Sequence, residues 1–294
     1  MFNLDYWQQR AARQTFISTA LIDGQPVGAL SGATFDTINP ATNRLLAQVA
    51  ACGAAEVDLA VRSARRAFDN GPWRRMAPGE RKKVLIKLAD LLMTHREELA
   101  LLDSLNMGKP VMDAYNVDVP GAAHVFAWYG EALDKLYDQV APTAHNALAT
   151  ITREALGVIA AVVPWNFPLD MAAWKLAPAL AAGNSVVLKP AEQSPFSALR
   201  LAQLALEAGI PEGVLNVVPG MGEGAGKALG LHPDVDCLVF TGSTQVGKYF
   251  MQYAAQSNLK QVWLECGGKS PNLVFADCQD LDLAAEKAAF GIFF

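Results

Sequence analysis

The stretch "GVIAAVVPWNFPLDMAAWKLAPALAAGNSVVLKPAE", residues 157–192, decides the fold class of this chain. It begins with a continuous apolar run typical of a buried strand, residues 169–182 have the spacing of a helix, and "SVVLKP" predicts a second strand. A strand, a helix and a strand of these lengths predict a parallel βαβ unit. Such sheets bind ligands at the carboxyl ends of their strands, so the residues that follow each strand are the candidates for a functional site.

The same alternation continues after this unit. Helices near 195–208, 223–230 and 244–256 alternate with the strands "VLNVVP", "CLVFTG" and "QVWLE". Before it, residues 18–50 have the pattern of short strands around turns, whereas 81–102 and about 120–137 have helical spacing. We therefore predict an α/β fold with a doubly wound parallel sheet.

The composition narrows the classes of partner. The 294 residues are 52% hydrophobic, enough for one large domain or two ordinary ones, and the net charge of -5 comes with no basic stretch that would attract nucleic acid. The first residues do not have the pattern of a secretion signal, and the apolar stretches are interrupted too often for a membrane span. The four cysteines and four histidines are not spaced as metal ligands. We expect a cytoplasmic protein without a nucleic-acid partner, a membrane partner or a metal.

Two glycine-containing loops compete for a phosphate-binding role. "GMGEGA", residues 220–225, fits G-x-G-x-x-[GA], but the acidic residue expected about twenty positions later is missing, which favours a plain turn from strand to helix. In "VFTGSTQVGKYF", residues 239–250, Gly242 makes the turn after a strand, Ser243 or Thr244 is positioned to cap a helix, and Gly247 lies in its first turns. Spacing alone leaves open whether this second loop binds an anion or is an ordinary capped helix with glycines for close packing.

Lys189 and Glu192 follow the strand "SVVLKP". A carboxylate at this point of the sheet can accept hydrogen bonds from both hydroxyls of a ribose and would repel a 2′-phosphate. Taken alone, the two residues fit a solvated ion pair in a loop better.

Several stretches together resemble the NAD(P)-dependent aldehyde dehydrogenase superfamily. They are, in order, "VVPWNFP", "WKLAPALAAGNSVVLKPAE", "GVLNVVPG", "VFTGSTQVGK" and "WLECGGKSPNLVF", and the resemblance extends from about residue 20 to the last residue. The N-terminal "YWQ" and residues 119–137 are most similar to the γ-glutamyl-γ-aminobutyraldehyde dehydrogenases of putrescine breakdown.

This resemblance implies a variant Rossmann domain that binds NAD, with NADP disfavoured by Glu192. It favours residues 242–247 over 220–225 as the loop that contacts cofactor phosphate, and leaves Gly222 on the adenine side. Lys189 and Glu192 would hold the adenosine ribose. The positions assigned to the cofactor are Val163, Pro164, Trp165, Lys189, Glu192, Gly222, Gly242, Ser243, Gly247 and Cys266.

The resemblance also assigns the catalytic groups. Oxidation of an aldehyde to an acid needs a thiolate, a hydride acceptor and a base that activates water. The Asn166 amide would stabilise the oxyanion, and Glu265, at the end of an apolar strand, would be the base. Without the resemblance they fit a turn Asn and an exposed strand-end Glu. Lys175 would lie near the active site, although a structural lysine with its head in water is an alternative.

Cys266 stands beside the base, but we do not expect it to be the nucleophile. Neighbouring side chains on a strand point to opposite faces, and family members usually have an apolar residue here.

In the family the nucleophile lies in a "GQ-x-C" motif beyond an aromatic pair placed like Phe293 and Phe294, and the chain has no such motif. We expect a truncated aldehyde dehydrogenase that is inactive alone, or alternatively a non-catalytic nucleotide-binding or interaction module.

The resemblance implies the domain organisation as well. Residues 1–136 and 157–267 would form the NAD-binding domain, 137–156 a β-arm for oligomerisation, and 268–294 the incomplete start of an α/β catalytic domain with "PNLVFAD" as its first strand. Full-length family members form homodimers or homotetramers. The substrate would be a small aldehyde, which the sequence does not identify.

Overall fold

The computed structural model describes residues 3–293, which form a large sheet with helices on both faces. In the first part the elements are α1 (Leu4–Ala12), β1 (Ala20–Ile22), β2 (Gln25–Val27), β3 (Thr34–Asn39), β4 (Arg44–Ala50), α2 (Ala54–Asn70), α3 (Pro78–Thr94), α4 (Arg96–Met107), α5 (Val111–Asp113) and α6 (Val119–Ala132). The second part contains β5 (Gln139–Ala141), β6 (Ala149–Ile151), β7 (Val158–Val162), α7 (Pro168–Ala181), β8 (Ser185–Lys189), α8 (Phe196–Ala208), β9 (Leu215–Val217), α9 (Lys227–Leu231), β10 (Cys237–Gly242), α10 (Thr244–Gln256), β11 (Gln261–Cys266) and α11 (Leu281–Phe293). Two π-helical segments, Ala114–Asp118 and Gly222–Gly226, precede α6 and α9.

The large sheet has the strand order β11-β10-β7-β8-β9-β1-β2. Strands β7 to β11 are parallel, and β1 joins β9 antiparallel, with Leu21 opposite Val217. From β7 the chain winds outward through β8 to β9 and then returns to β10 on the other side of β7. The prediction of a doubly wound sheet is confirmed, and the strand order reverses between β7 and β10.

The apolar runs of the sequence form the centre of this sheet, because every residue of β7 and β8 is buried. One face packs against α7 and α8, on which α3 and α6 pack in turn, in a core that includes Phe126 and Leu176. The other face packs against α2 and α10, with α9 beside them, in a core that includes Phe240 and Phe250. Burial on both faces explains why these strands have continuous apolar runs rather than alternating patterns.

Two local predictions were wrong. Residues 81–102 form two helices, because His95 leaves the helical conformation (φ -95°, ψ 19°) and ends α3 while starting α4. The apolar spacing continues across this break, so the periodicity does not reveal it. Residues 271–277 form no strand; Leu273 and Phe275 are exposed, and no strand among residues 3–293 pairs with them. A strand needs a partner, which an apolar run alone cannot supply.

The remaining segments surround the sheet. Strands β5 and β6 form a separate antiparallel pair, with Val140 opposite Thr150, within the predicted β-arm. Helix α1, which the sequence analysis did not predict, is capped by the Asn3 side chain and buries Trp7. None of the helices described is both long and apolar enough to cross a bilayer. Residues 1, 2 and 294 of the predicted domains, including Phe294 of the aromatic pair, lie outside the described residues.

Candidate active site

A cleft of about 820 Å³ opens at the carboxyl ends of β7, β8 and β10, next to the reversal of strand order. Parallel strands end at the same edge of the sheet, so residues far apart in sequence converge here. Eight of the ten residues predicted to bind the cofactor line it: Val163, Pro164, Trp165, Lys189, Glu192, Gly222, Gly242 and Ser243.

Lys189 and Glu192 form an ion pair at the floor of this cleft. The Lys189 side chain is only 3% exposed, and its Nζ donates to the Pro190 carbonyl at 2.8 Å and to Glu192 Oε2 at 3.3 Å. Burial lowers the pKa of Lys189, and the Glu192 carboxylate acts in the opposite direction. A lysine buried to this degree is not part of a solvated loop, so the pair is a fixed feature of the cleft.

The N-terminus of α10 forms one wall. The Ser243 hydroxyl accepts a hydrogen bond from the Val246 N–H at 3.3 Å and so caps the helix. At Gly242 a Cβ atom would collide with the Phe240 ring, so the turn after β10 requires glycine. A helix N-terminus that reaches a cleft favours an anion there, because its first N–H groups have no partner within the helix.

The π-helical segment Gly222–Gly226 forms the facing wall. A Cβ atom at Gly222 would meet no other atom within 4 Å, whereas one at Gly226 would lie 3.7 Å from Lys189 Cδ. The segment therefore lies directly against the lysine stem, and Gly222 leaves open space at the cleft surface.

Gly247 and Cys266 do not line the cleft. A Cβ atom at Gly247 would lie 3.0 Å from Cys266 Sγ and 3.3 Å from Leu264 Cδ1, so this glycine allows α10 to pack closely on β11. For Gly247 the close-packing alternative describes what the structure shows. A cofactor contact by either residue stays a prediction.

Glu265 and Cys266 point to opposite faces of β11, as strand geometry predicts. Cys266 faces α10, whereas Glu265 faces α7, where its charge raises the pKa of Lys175 and opposes the larger lowering caused by burial. The structure thus brings the predicted base and the predicted lysine together. The Glu265 side chain itself is exposed, so the described residues do not give it apolar surroundings.

Asn166 lies in the loop between β7 and α7, with its side chain exposed. Both neighbours of Asn166 are anchored. The Ser194 hydroxyl donates to the Trp165 carbonyl at 3.2 Å, and Lys109 Nζ lies 3.4 Å from the centre of the Phe167 ring. The Asn166 amide makes no hydrogen bond to another described residue, so its donors are available to a ligand.

No cysteine of residues 3–293 lines the cleft. Cys52 and Cys237 are buried, and burial raises the pKa of their thiols to about 12 and about 11. Cys278 lies in a loop, with Sγ 3.4 Å from the Asp280 carbonyl oxygen. Within the same residues, no three His, Cys, Asp or Glu side chains converge as a metal site.

Comparison with known proteins identifies the family of this chain. A sequence model of the aldehyde dehydrogenase family matches residues 28–294. The chain belongs to this family. It is 52% identical over 292 residues, 99% of its length, to the "NADP/NAD-dependent aldehyde dehydrogenase PuuC" of Escherichia coli (strain K12), of which it covers 59%.

Two solved structures of aldehyde dehydrogenases are also close. One is the P. syringae indole-3-acetaldehyde dehydrogenase in complex with NAD⁺ and IAA, with a TM-score of 0.99 and 58% identity. The other is the γ-glutamyl-γ-aminobutyraldehyde dehydrogenase from Burkholderia cenocepacia J2315, with a TM-score of 0.98 and 58% identity. Each match covers all of this chain and 59% of the other. The chain therefore spans well under two thirds of these relatives.

Some aldehyde dehydrogenase cleft residues were missed by the sequence analysis. Tyr249 and Tyr253 stack on each other along α10, with ring centres 6.4 Å apart, and both line the cleft together with Glu223 and Lys227. The i, i+4 spacing of the two tyrosines on a helix that begins at a cleft wall was the available signal.

Proposed function

We propose that this chain provides the cofactor-binding part and the general base of an NAD-dependent aldehyde dehydrogenase, which oxidises an aldehyde to a carboxylic acid through a thiohemiacetal and a thioester. One observation carries the proposal: at the point where strand order reverses, a single cleft combines a buried Lys–Glu pair, a capped helix N-terminus and an open glycine wall. These are the groups that a ribose and a pyrophosphate need.

The residues present fit NAD. Glu192 would accept hydrogen bonds from the ribose hydroxyls while Lys189 holds its carboxylate in place, and the N-terminus of α10 at Ser243 would face phosphate. Val163, Pro164 and Trp165 would lie along the cofactor. When bound, NAD supplies the hydride acceptor. A relative 58% identical to this chain has been solved with NAD⁺, and the Glu192 carboxylate would disfavour the 2′-phosphate of NADP.

The catalytic groups have separate tasks in this proposal. The free amide of Asn166 would donate to the oxyanion of the tetrahedral intermediate, and loss of such a donor costs roughly 10²–10³ in rate. Glu265 would take the proton from the water that releases the acid. Lys175, whose positive charge is disfavoured by burial, would orient the Glu265 carboxylate.

The attacking thiol is not among the groups that the cleft brings together. Cys266 faces away from Glu265, and the buried thiols of Cys52 and Cys237 are held protonated. We therefore expect these 294 residues alone to bind the cofactor without oxidising aldehydes. A non-catalytic nucleotide-binding module is the second candidate, favoured because no cysteine of the described residues lines the cleft.

The substrate class and the oligomeric state that we propose are those of related aldehyde dehydrogenases. The B. cenocepacia relative is named for γ-glutamyl-γ-aminobutyraldehyde, so an aldehyde of putrescine breakdown is the substrate we propose. The exposed pair β5 and β6 would serve as the oligomerisation arm between 137 and 156, and residues 268–294 would begin the catalytic domain. Homodimers or homotetramers and a cytoplasmic location belong to the same proposal.

Calorimetric titration of the chain with NAD tests the cofactor cleft. Gly222→Leu should lower the affinity at least about tenfold, or roughly 1.4 kcal/mol, because the new side chain would occupy open cleft space without strain. Gly79→Leu is the matched control, since its Cβ also meets open space but on α3, away from the cleft. Equal NAD affinity for Gly222→Leu and the parent chain would refute the assignment of this cleft.

NADH formation from an aldehyde tests the catalytic part. The chain alone should give no absorbance change at the NADH band. Turnover that disappears on substitution Glu265→Gln would contradict the expected inactivity.

A further inference from the structure

Lys109 lies in the turn after α4, where it makes two contacts with groups from different elements. Its Nζ lies 2.7 Å from Asp118 Oδ2, in a pair whose side chains are 9% and 1% exposed. The same Nζ lies 3.4 Å from the centre of the Phe167 ring. A cation over an aromatic face is attracted by the ring, most strongly when the pair is desolvated. The ion pair therefore reaches the loop that carries Asn166.

Asp118 occupies the last position of the π-helical segment Ala114–Asp118, between α5 and α6. π-Helical turns inside helices frequently occur at functional sites. Burial raises the pKa of Asp118, and the Lys109 ammonium opposes this rise. Asp103 and Asp170 also lie close enough to interact with Lys109. Lys109 therefore lies close to three acidic side chains, Asp103, Asp118 and Asp170.

Asn166 depends on its neighbours for its position. Its own side chain is exposed and makes no hydrogen bond within the described residues, whereas Trp165 is held by Ser194 and Phe167 by Lys109. A donor works well when it is fixed before the charge on its ligand develops. In this chain the two flanking residues fix the position of Asn166, and its side-chain amide stays free to donate.

We propose that Lys109, paired with Asp118, is a positioning residue for Asn166, which it acts on through the ring of Phe167. The inference rests on the proposed function of Asn166 as a donor to the reacting aldehyde. Lys109 touches neither aldehyde nor cofactor in this role; it restrains the loop and so sets the direction of the amide.

The test measures the order of the Asn166 backbone and side-chain amides by ¹⁵N relaxation, with Asn166→Asp to assign the side-chain signal. Lys109→Met with Asp118→Leu removes both charges, because removing one alone would leave a buried unpaired charge. In this double variant the backbone order parameter of Asn166 should fall from about 0.85 to below about 0.6.

Phe167→Leu should have the same effect while leaving the ion pair intact, and Phe167→Tyr, which keeps the ring, should restore the order. The matched control is Lys82→Met with Glu131→Leu, which removes an ion pair of 2.6 Å far from the loop. An unchanged Asn166 order parameter in either the Lys109 double variant or Phe167→Leu would overturn the proposal. Because the measurement uses neither cofactor nor turnover, its failure is distinct from failure of the proposed function.

Discussion

Asp103 shows how one buried group can control the stability of the site. It lies on α4 and is 1% exposed, and burial raises the pKa of its carboxyl group to about 7. The nearby Ser197 side chain and the Leu169 N–H, in the first turn of α7, act on this pKa in the opposite direction. The charge of Asp103 is therefore coupled to the start of the helix that follows Asn166.

This coupling predicts a pH dependence of the free energy of unfolding. Between about pH 4 and pH 7 the folded chain keeps the proton of Asp103 that the unfolded chain releases, so stability falls as pH rises. Asp103→Asn cannot ionise. Relative to this variant, the parent chain should lose about 1.4 kcal/mol between pH 6 and pH 8 in urea unfolding.

Asp90→Asn, an exposed change on α3, serves as the control and should leave the pH dependence unaltered. A constant difference between Asp103→Asn and the parent chain across this pH range would show that Asp103 is ionised in the folded state.

The individual residues of the site differ in how far the sequence could predict them. Lys189 and Glu192 follow a strand end, so the topology alone places them at the cleft. The contact of Lys109 with Phe167 could not be predicted, because it depends on how the turn after α4 packs against the start of α7. Tyr249 was missed for a similar reason, because its position in the cleft wall depends on which face of α10 borders the cleft.

Helix α10 packs closely on β11 near the site. A Cβ atom at Gly247 would lie 3.0 Å from Cys266 Sγ. Gly247→Ala should therefore destabilise the fold by about 1–3 kcal/mol, the usual cost of overpacking. In a Cys266→Ala background this cost should shrink, because the sulfur that blocks the methyl group is gone.

A double-mutant cycle in urea measures this coupling between the helix and the strand. Gly79→Ala, which meets open space on α3, is the control for the general effect of the substitution. Strictly additive effects of Gly247→Ala and Cys266→Ala would mean that the two residues do not compete for the same space.

Secondary-structure elements were predictable where one local pattern settled them. Within a βαβ unit, the short apolar runs of β7 and β8 can only be buried strands. Helix α10 begins at a predicted cap, Ser243. The break at His95 and the missing strand at 271–277 depend on contacts with other parts of the chain. Periodicity reports which side chains are apolar, not whether another strand is present to accept their backbone hydrogen bonds.

At the scale of the whole molecule, the large sheet is covered on both faces but exposed at one edge. The two faces of the large sheet are covered by helices, whereas β11 is an edge strand with Trp263 65% exposed, and Phe275 and Phe293 are 73% and 86% exposed. Exposed apolar surface beside an edge strand favours association. The predicted base Glu265 lies on this edge strand, in register with Thr241, which lines the cleft.

The pairing of β1 with β9 also has a consequence for the order in which the chain folds during synthesis. Leu21 pairs with Val217, so β1, which pairs locally with β2, lacks its partner β9 until nearly two hundred more residues have left the ribosome, a delay on the order of 10–40 s. Through this interval the hairpin of β1 and β2 is separated from the rest of the sheet. Stalled nascent chains ending soon after β8 should leave residues 20–27 open to protease, and chains long enough to expose β9 fully should protect them. Protection in the shorter chains would mean that the first strand finds another partner on the way.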